Sequence, residues 1–184
     1  MKILGIAGSL RSGSYNRALL QAARELAPAG VEIDEFDLRE LPFYDGDVEA
    51  AGDPDSVAAF KDAIRAADAI LIATPEYNHG IPGVLKNAID WASRPALASP
   101  LVGKPVAIMG ASTGRGGTAR AQRQLRDVLA LSHPLVLDEP EVRVPEAFMR
   151  FDEEGVLVDE EARRSISSLL DSLATVAGGV TLAA

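Results

Sequence analysis

The chain has 184 residues, 47% hydrophobic and 24% charged, with a formal net charge of −9 and no cysteine. That length supplies the core of one domain without covalent staples, and the composition holds no low-complexity segment, which excludes a disordered or fibrous chain. The acidic balance excludes a nonspecific nucleic-acid binder, and the absence of cysteine with only two histidines, His79 and His133, excludes disulfide scaffolds, thiol catalysis and the usual zinc sites, so no metal is expected.

The first apolar run, 3–7, is too short for the core of a signal peptide and reads as a buried strand ending at Gly8. A helix is predicted over 16–26, then a strand nearer the sheet edge over 31–38, where apolar and acidic residues alternate. Residues 42–55, rich in Asp, Gly and Pro, read as a surface loop. Helix 54–67 follows, with Val57, Phe60 and Ile64 on one face, then a second buried strand, 69–74. Helix 82–92, strand 105–111, helix 118–131 and a short strand at 135–137 continue the alternation. Residues 140–158, with the turn-like Asp152-Glu153-Glu154-Gly155, read as a hairpin or irregular arm of the kind that takes part in subunit contacts. A final helix covers 159–176 and should break at Gly178-Gly179; with Asp171 inside it, it is a packed helix and not a membrane span. The pattern predicts one α/β domain over 1–184, a doubly wound five-stranded parallel sheet with helices on both faces in three layers. Ligands of such sheets sit at the carboxyl ends of the strands, around the topological switch point.

Three loops occupy those ends. The first, Gly8-Ser9-Leu10-Arg11-Ser12-Gly13-Ser14-Tyr15-Asn16, joins a strand to a helix, where free backbone N–H groups and the helix dipole favour an anion. Ser9, Ser14 and Asn16 add neutral donors and Arg11 a charged fork, a set suited to a terminal phosphomonoester. The blander reading is a turn with Ser14 as helix N-cap. The loop matches neither a P-loop nor the dinucleotide fingerprint. The second loop runs Thr74-Pro75-Glu76-Tyr77-Asn78-His79-Gly80-Ile81-Pro82-Gly83. Gly80 and Gly83 permit close backbone approach, while Tyr77 and Asn78 offer an aromatic wall and an amide for a planar heteroaromatic ring. The third, Ala111-Ser112-Thr113-Gly114-Arg115-Gly116-Gly117, is built of small residues around one arginine.

Gly8-Ser9-Leu10-Arg11 with Ser14 and Asn16, Pro75-Glu76-Tyr77-Asn78, and Gly83 with Leu85-Lys86-Asn87-Ala88-Ile89-Asp90-Trp91 resemble the motifs of the NADPH-dependent FMN reductase family, which includes quinone, azo-dye and chromate reductases. The resemblance covers most of the chain and implies a flavodoxin-like fold with noncovalent FMN, and NADPH or NADH as electron donor. It implies a small-molecule acceptor such as a quinone, an azo or nitro compound or chromate, assembly as a homodimer or homotetramer, and a cytoplasmic setting. By resemblance Ser9, Arg11, Ser14 and Asn16 hold the phosphate; Pro75, Glu76, Tyr77, Asn78 and Gly80 line the isoalloxazine; Ser112, Gly114 and Gly117 complete the site. His79 is assigned to substrate access and Arg115 to the 2′-phosphate of NADPH. No protein acid or base is required, because the hydride passes through flavin N5. Trp91 reads as a packed helix residue and Lys86 as a solvated one.

Gly110-Ala111-Ser112-Thr113-Gly114 formally matches a nucleophile elbow, but the histidine that follows, His133, stands too soon after Ser112 to leave room for an acid-bearing strand. A non-enzymatic FMN electron carrier or redox sensor with the same fold and cofactor is the alternative, and NAD(P)H turnover separates it from a reductase.

Overall fold

The structure, a computed structural model, describes residues 1–183, with the backbone alone at residue 97 and over 181–183. Strands β1 (Lys2–Ala7), β2 (Glu32–Phe36), β3 (Ala69–Ala73), β4 (Pro105–Ala111), β5 (Leu135–Val136) and β6 (Val142–Val144) form one sheet. Its order is β2-β1-β3-β4-β5, every pairing is parallel, and β6 also pairs with β4. The helices are α1 (Tyr15–Leu26), α2 (Gly46–Ala51), α3 (Asp55–Ala66), α4 (Gly83–Ala92), α5 (Ala119–Ala130) and α6 (Glu160–Ala183).

Side chains of the central strands alternate between two cores, as the period of two requires. Ile3 and Ala7, Leu71 and Ala73, and Ala107 and Met109 face α1 and α6, where Leu19, Leu20, Leu169 and Leu173 meet them. Leu4 and Ile6, Ile70 and Ile72, and Val106 and Ile108 face α3, α4 and α5, against Phe60, Ile64, Leu85, Trp91 and Leu125. Covered on both faces, these strands read as unbroken apolar runs, which is why the sequence reveals them. From β1 the chain first builds outward to β2 and then returns to β3 on the other side of β1, so the carboxyl ends of β1 and β3 flank the switch point.

Three expectations change. The loop expected over 42–55 contains α2, whose first turn is capped by Asp45 Oδ1 accepting the Asp47 N–H at 2.9 Å. The hairpin or arm expected over 140–158 turns at Asp152–Gly155, with an antiparallel bridge from Phe151 to Leu157, but it also contains the unexpected strand β6. β5 pairs with Pro105 and Val106 and β6 with Met109 to Ala111, so the two pieces share one edge position of the sheet. The last helix does not break at Gly178-Gly179 but runs to Ala183. Neither glycine has a positive φ, and a helical glycine costs only about 1 kcal/mol, which the packing of Leu169, Leu170, Leu173 and Ala177 just before it outweighs. Among the described residues no helix is long and apolar enough to cross a membrane.

Candidate functional site

The first loop is held open from three sides. The carboxamide of Asn16, on α1, accepts the Ala111 N–H at 2.9 Å and donates to the Ala111 carbonyl at 3.0 Å, fastening α1 to the end of β4. Arg39 Nη2 donates to the Leu10 carbonyl at 2.8 Å, and the Ser9 and Tyr77 hydroxyls meet at 3.3 Å across to the second loop. Ser14 is the N-cap of α1, its Oγ accepting from Asn16 and Arg17. Among the described residues, the backbone N–H groups of Ser12, Gly13 and Tyr15 find no acceptor in the chain. Arg11 is exposed, its guanidinium 6.0 Å from the Tyr15 ring and without a carboxylate partner among the described residues. Open donors, a helix N-terminus and an unneutralised guanidinium together make this loop chemically suited to an anion. Asn16 serves it by shaping the loop, since its oxygen and one of its N–H groups are committed to Ala111.

The second loop is a tight hairpin. Tyr77 and Gly80 exchange both backbone hydrogen bonds at 3.0 Å, while Asn78 and His79 between them have φ of 49° and 68°. Two consecutive positive φ values within a two-residue connection define a type I′ turn. Helix α5 docks this hairpin: Glu76 Oε2 accepts from the N–H groups of Arg120 at 2.9 Å and Ala121 at 3.1 Å, and Gln124 Oε1 accepts from Ile81 N at 2.7 Å. The N-cap of α5, Thr118, makes no side-chain cap bond, so Glu76 supplies the cap from another loop. Desolvation pushes the Glu76 carboxyl upward, but the bonds from Ala121 and Arg120, with His79 and the Arg120 charge, outweigh it and hold the group below the usual carboxylate range. The Arg120 guanidinium, which can only donate, lies 2.7 Å from His79 Nδ1.

The third loop leans on the strand beyond it. Ser112 N–H donates to the Val144 carbonyl, and the carbonyls of Ser112 and Gly114 accept from Ala147 and Glu146. Gly117 has φ of 52°, and a Cβ there would sit 3.1 Å from Arg143 Cβ and 3.2 Å from Pro145 N. Its role is therefore the close approach to the segment after β6. Thr118, wholly buried with φ of 70°, fits over Gly110, where a Cβ would overlap Thr118 Oγ1 and the Thr74 carbonyl.

Between the second and third loops lies a cavity of about 430 Å³, bounded by Glu76, Asn78, His79, residues 112–116 and Arg120. Tyr77 stands 52% exposed beside it, tied to the first loop through Ser9. Pro75 is buried, and Gly80 lies against Gln124. The structure thus gathers the expected residues of all three loops at one end of the sheet. Arg115 is almost fully exposed and makes only a long ion pair, 3.9 Å, with Glu146. Trp91 is completely buried, its indole N–H on the Pro42 carbonyl, and Lys86 pairs with Asp90 on the surface of α4.

The residues present fit FMN: an open anion nest lies at β1, and a hairpin edge and a small-residue loop face each other across the cavity. Among the described residues no cluster of His, Cys, Asp or Glu could hold a metal. Arg39, Arg120 and Gln124 were not legible as site residues, since each acts on a loop remote in sequence.

Residues 1–148 match the family model for NADPH-dependent FMN reductase. An NAD(P)H-dependent FMN reductase from Pseudomonas aeruginosa is 53% identical over 173 residues, covering 94% of this chain and 93% of that protein. A 2-hydroxy-1,4-benzoquinone reductase from a Burkholderia species is 42% identical over 95% of this chain and 94% of its own. The solved structure of FerB, a flavoenzyme NAD(P)H:(acceptor) oxidoreductase from Paracoccus denitrificans, superposes with a TM-score of 0.88 at 33% identity, covering 97% of each chain. With its flavodoxin-like order of strands and its three converging loops, the chain belongs to the NADPH-dependent FMN reductase family, a family of oxidoreductases.

Proposed function

We propose that the chain is an NAD(P)H-dependent reductase that binds FMN noncovalently, with the phosphate in the first loop and the ring between the hairpin and the third loop, and reduces small acceptors, quinones foremost. The observation that carries this reading is the pairing of unsatisfied backbone donors and an unneutralised Arg11 at β1 with a cavity walled by the other two loops. Bound FMN supplies a two-electron carrier that accepts a hydride from reduced nicotinamide and passes it to the acceptor. Donor and acceptor use the same open face in turn, so the kinetics are ping-pong.

The residues of the chain bind and orient. Arg11, Ser9 and Ser14 hold the phosphate, and Asn16 keeps the loop in shape. Glu76 fixes the hairpin on α5, which directs the Asn78 and His79 backbone toward the ring edge. Arg115 and Arg120 place positive charge at the cavity of an otherwise acidic chain, suited to the phosphates of NAD(P)H. His79, exposed at the hairpin tip, borders the route of substrate entry. Quinones are favoured among acceptors by the benzoquinone reductase relative and by a cavity open enough for a flat ring. Azo and nitro compounds and chromate are further acceptors of the same site. Absence of cysteine fits a reducing, cytoplasmic setting, and a homodimer or homotetramer, with the arm over 140–158 at the contact, completes the reading.

Initial rates with NADPH and 1,4-benzoquinone varied together test it. Parallel double-reciprocal lines are expected. Intersecting lines would contradict the alternating use of one face, and no turnover with either nicotinamide would point instead to a carrier or sensor.

A further inference from the structure

Helix α5 grips the flavin-edge hairpin at three points, and two of them have other duties. Glu76 also caps the helix, and Arg120 also lines the cavity. Gln124, on the next turn, spends its Oε1 on the Ile81 N–H at 2.7 Å, at the far strand of the hairpin from Glu76. The same oxygen lies 2.7 Å from where a Cβ on residue 80 would stand. Gly80 does not have a positive φ, so its backbone conformation would accept alanine. What excludes a side chain there is the Gln124 carboxamide.

We propose that Gln124 is a positioning residue for the flavin chemistry: its carboxamide sets the pitch of the Asn78–His79 turn against the ring, and residue 80 is glycine so that the carboxamide can dock. The proposal rests on the FMN reading. A two-residue hairpin carries only the pair of backbone bonds between Tyr77 and Gly80, and an isolated hairpin is marginal in water. Glu76 fixes the first strand by its backbone bonds to α5, and Arg120 and Ser9 touch only the side chains of His79 and Tyr77, so the backbone of the second strand is left without a tie of its own. The bond from Ile81 to Gln124 supplies that tie. Backbone groups aimed at a reacting ring must be held within about 0.5 Å of the productive geometry. Gln124 is itself exposed, so replacing it removes no core packing, and a purely structural role would leave little to lose.

The test uses Gln124→Ala, Gln124→Glu, Gly80→Ala and the Gly80→Ala/Gln124→Ala double variant, each loaded with FMN. Midpoint potential of the bound flavin, kcat and KM are read, together with amide exchange at Ile81. In Gln124→Ala, Ile81 exchange should quicken about ten-fold on loss of one hydrogen bond. The potential should move and kcat fall roughly ten-fold, as for a small misplacement of reacting groups, with thermal stability unchanged. Gln124→Glu should restore Ile81 exchange and kcat, since a carboxylate accepts the same bond, while its added negative charge lowers the potential on its own account. Gly80→Ala should reproduce Gln124→Ala by pushing the flexible carboxamide aside, and the double variant should be no worse than either single change. Wild-type potential and kcat in FMN-loaded Gln124→Ala, failure of Gln124→Glu to rescue Ile81 exchange and kcat, or additive effects in the double variant would each overturn the proposal alone. Wild-type protein that takes up no FMN would overturn the FMN reading and this proposal with it.

Discussion

The Asn16 carboxamide and the Ala111 backbone bond to each other in both directions, at 2.9 and 3.0 Å, across 95 positions of sequence. Through that contact the start of the first helix is set against the end of the fourth strand, and the first and third loops keep a fixed separation. Asn16→Ala leaves a buried N–H and a buried carbonyl unpaired, so about 3 kcal/mol of stability should be lost. Urea denaturation measures it, and FMN affinity should fall in the same variant because the first loop loses its shape.

Arg11 has no acidic partner to lose among the described residues, and its side chain is exposed, so Arg11→Ala should leave stability within about 0.5 kcal/mol of wild type. FMN affinity should drop, whereas the affinity for riboflavin, which lacks the phosphate, should be unchanged. Equal losses for the two flavins, followed by fluorescence quenching, would remove Arg11 from the phosphate site.

Glu76 gives the hairpin a pH dependence. Its folded carboxyl lies below the ordinary value of 4.5, so its contribution is fully present above that pH and is lost as the pH falls through the lower folded value. Unfolding free energies of wild type and Glu76→Gln, from urea denaturation, should therefore differ most at neutral pH, by about 1 kcal/mol for the weakened cap, and converge in acid below 4.5. A gap that stays constant into acid would show that the carboxylate charge plays no part in the cap.

Gly110 matters for shape and not as part of a nucleophile elbow. Gly110→Ala drives a Cβ into Thr118 Oγ1 and the Thr74 carbonyl, both buried, and should cost about 3 kcal/mol by overpacking. Ser112→Ala, by contrast, should leave stability nearly unchanged and confer no loss attributable to a missing nucleophile in steady-state rates. A melting temperature for Gly110→Ala equal to wild type would contradict the packing described for Thr118.

The central strands and the three loops were legible because each strand is buried on both faces and ends in a loop marked by Gly, Ser, Thr or Pro. Ser14 was legible as a cap because capping is local, its Oγ reaching only two and three residues ahead. The duties of Asn16, Glu76 and Gln124 were not, since their partners stand 95, 44 or 45, and 43 residues away, on elements that only the folded sheet brings together. β6 escaped notice because three residues, Val142-Arg143-Val144, between Pro140 and Pro145 carry too little periodicity. α2 was hidden by a turn-like composition, and it has no buried face to betray it. The break expected at Gly178-Gly179 failed because glycine lowers helix propensity without forbidding helix.

The most direct test of the central claim is a titration of the apo-protein with FMN, followed by NADPH under anaerobic conditions while the flavin absorbance is recorded. Saturable uptake of one FMN per chain and bleaching by NADPH are the predicted results. Failure to bind FMN, or bound FMN that neither NADPH nor NADH bleaches, would contradict the account.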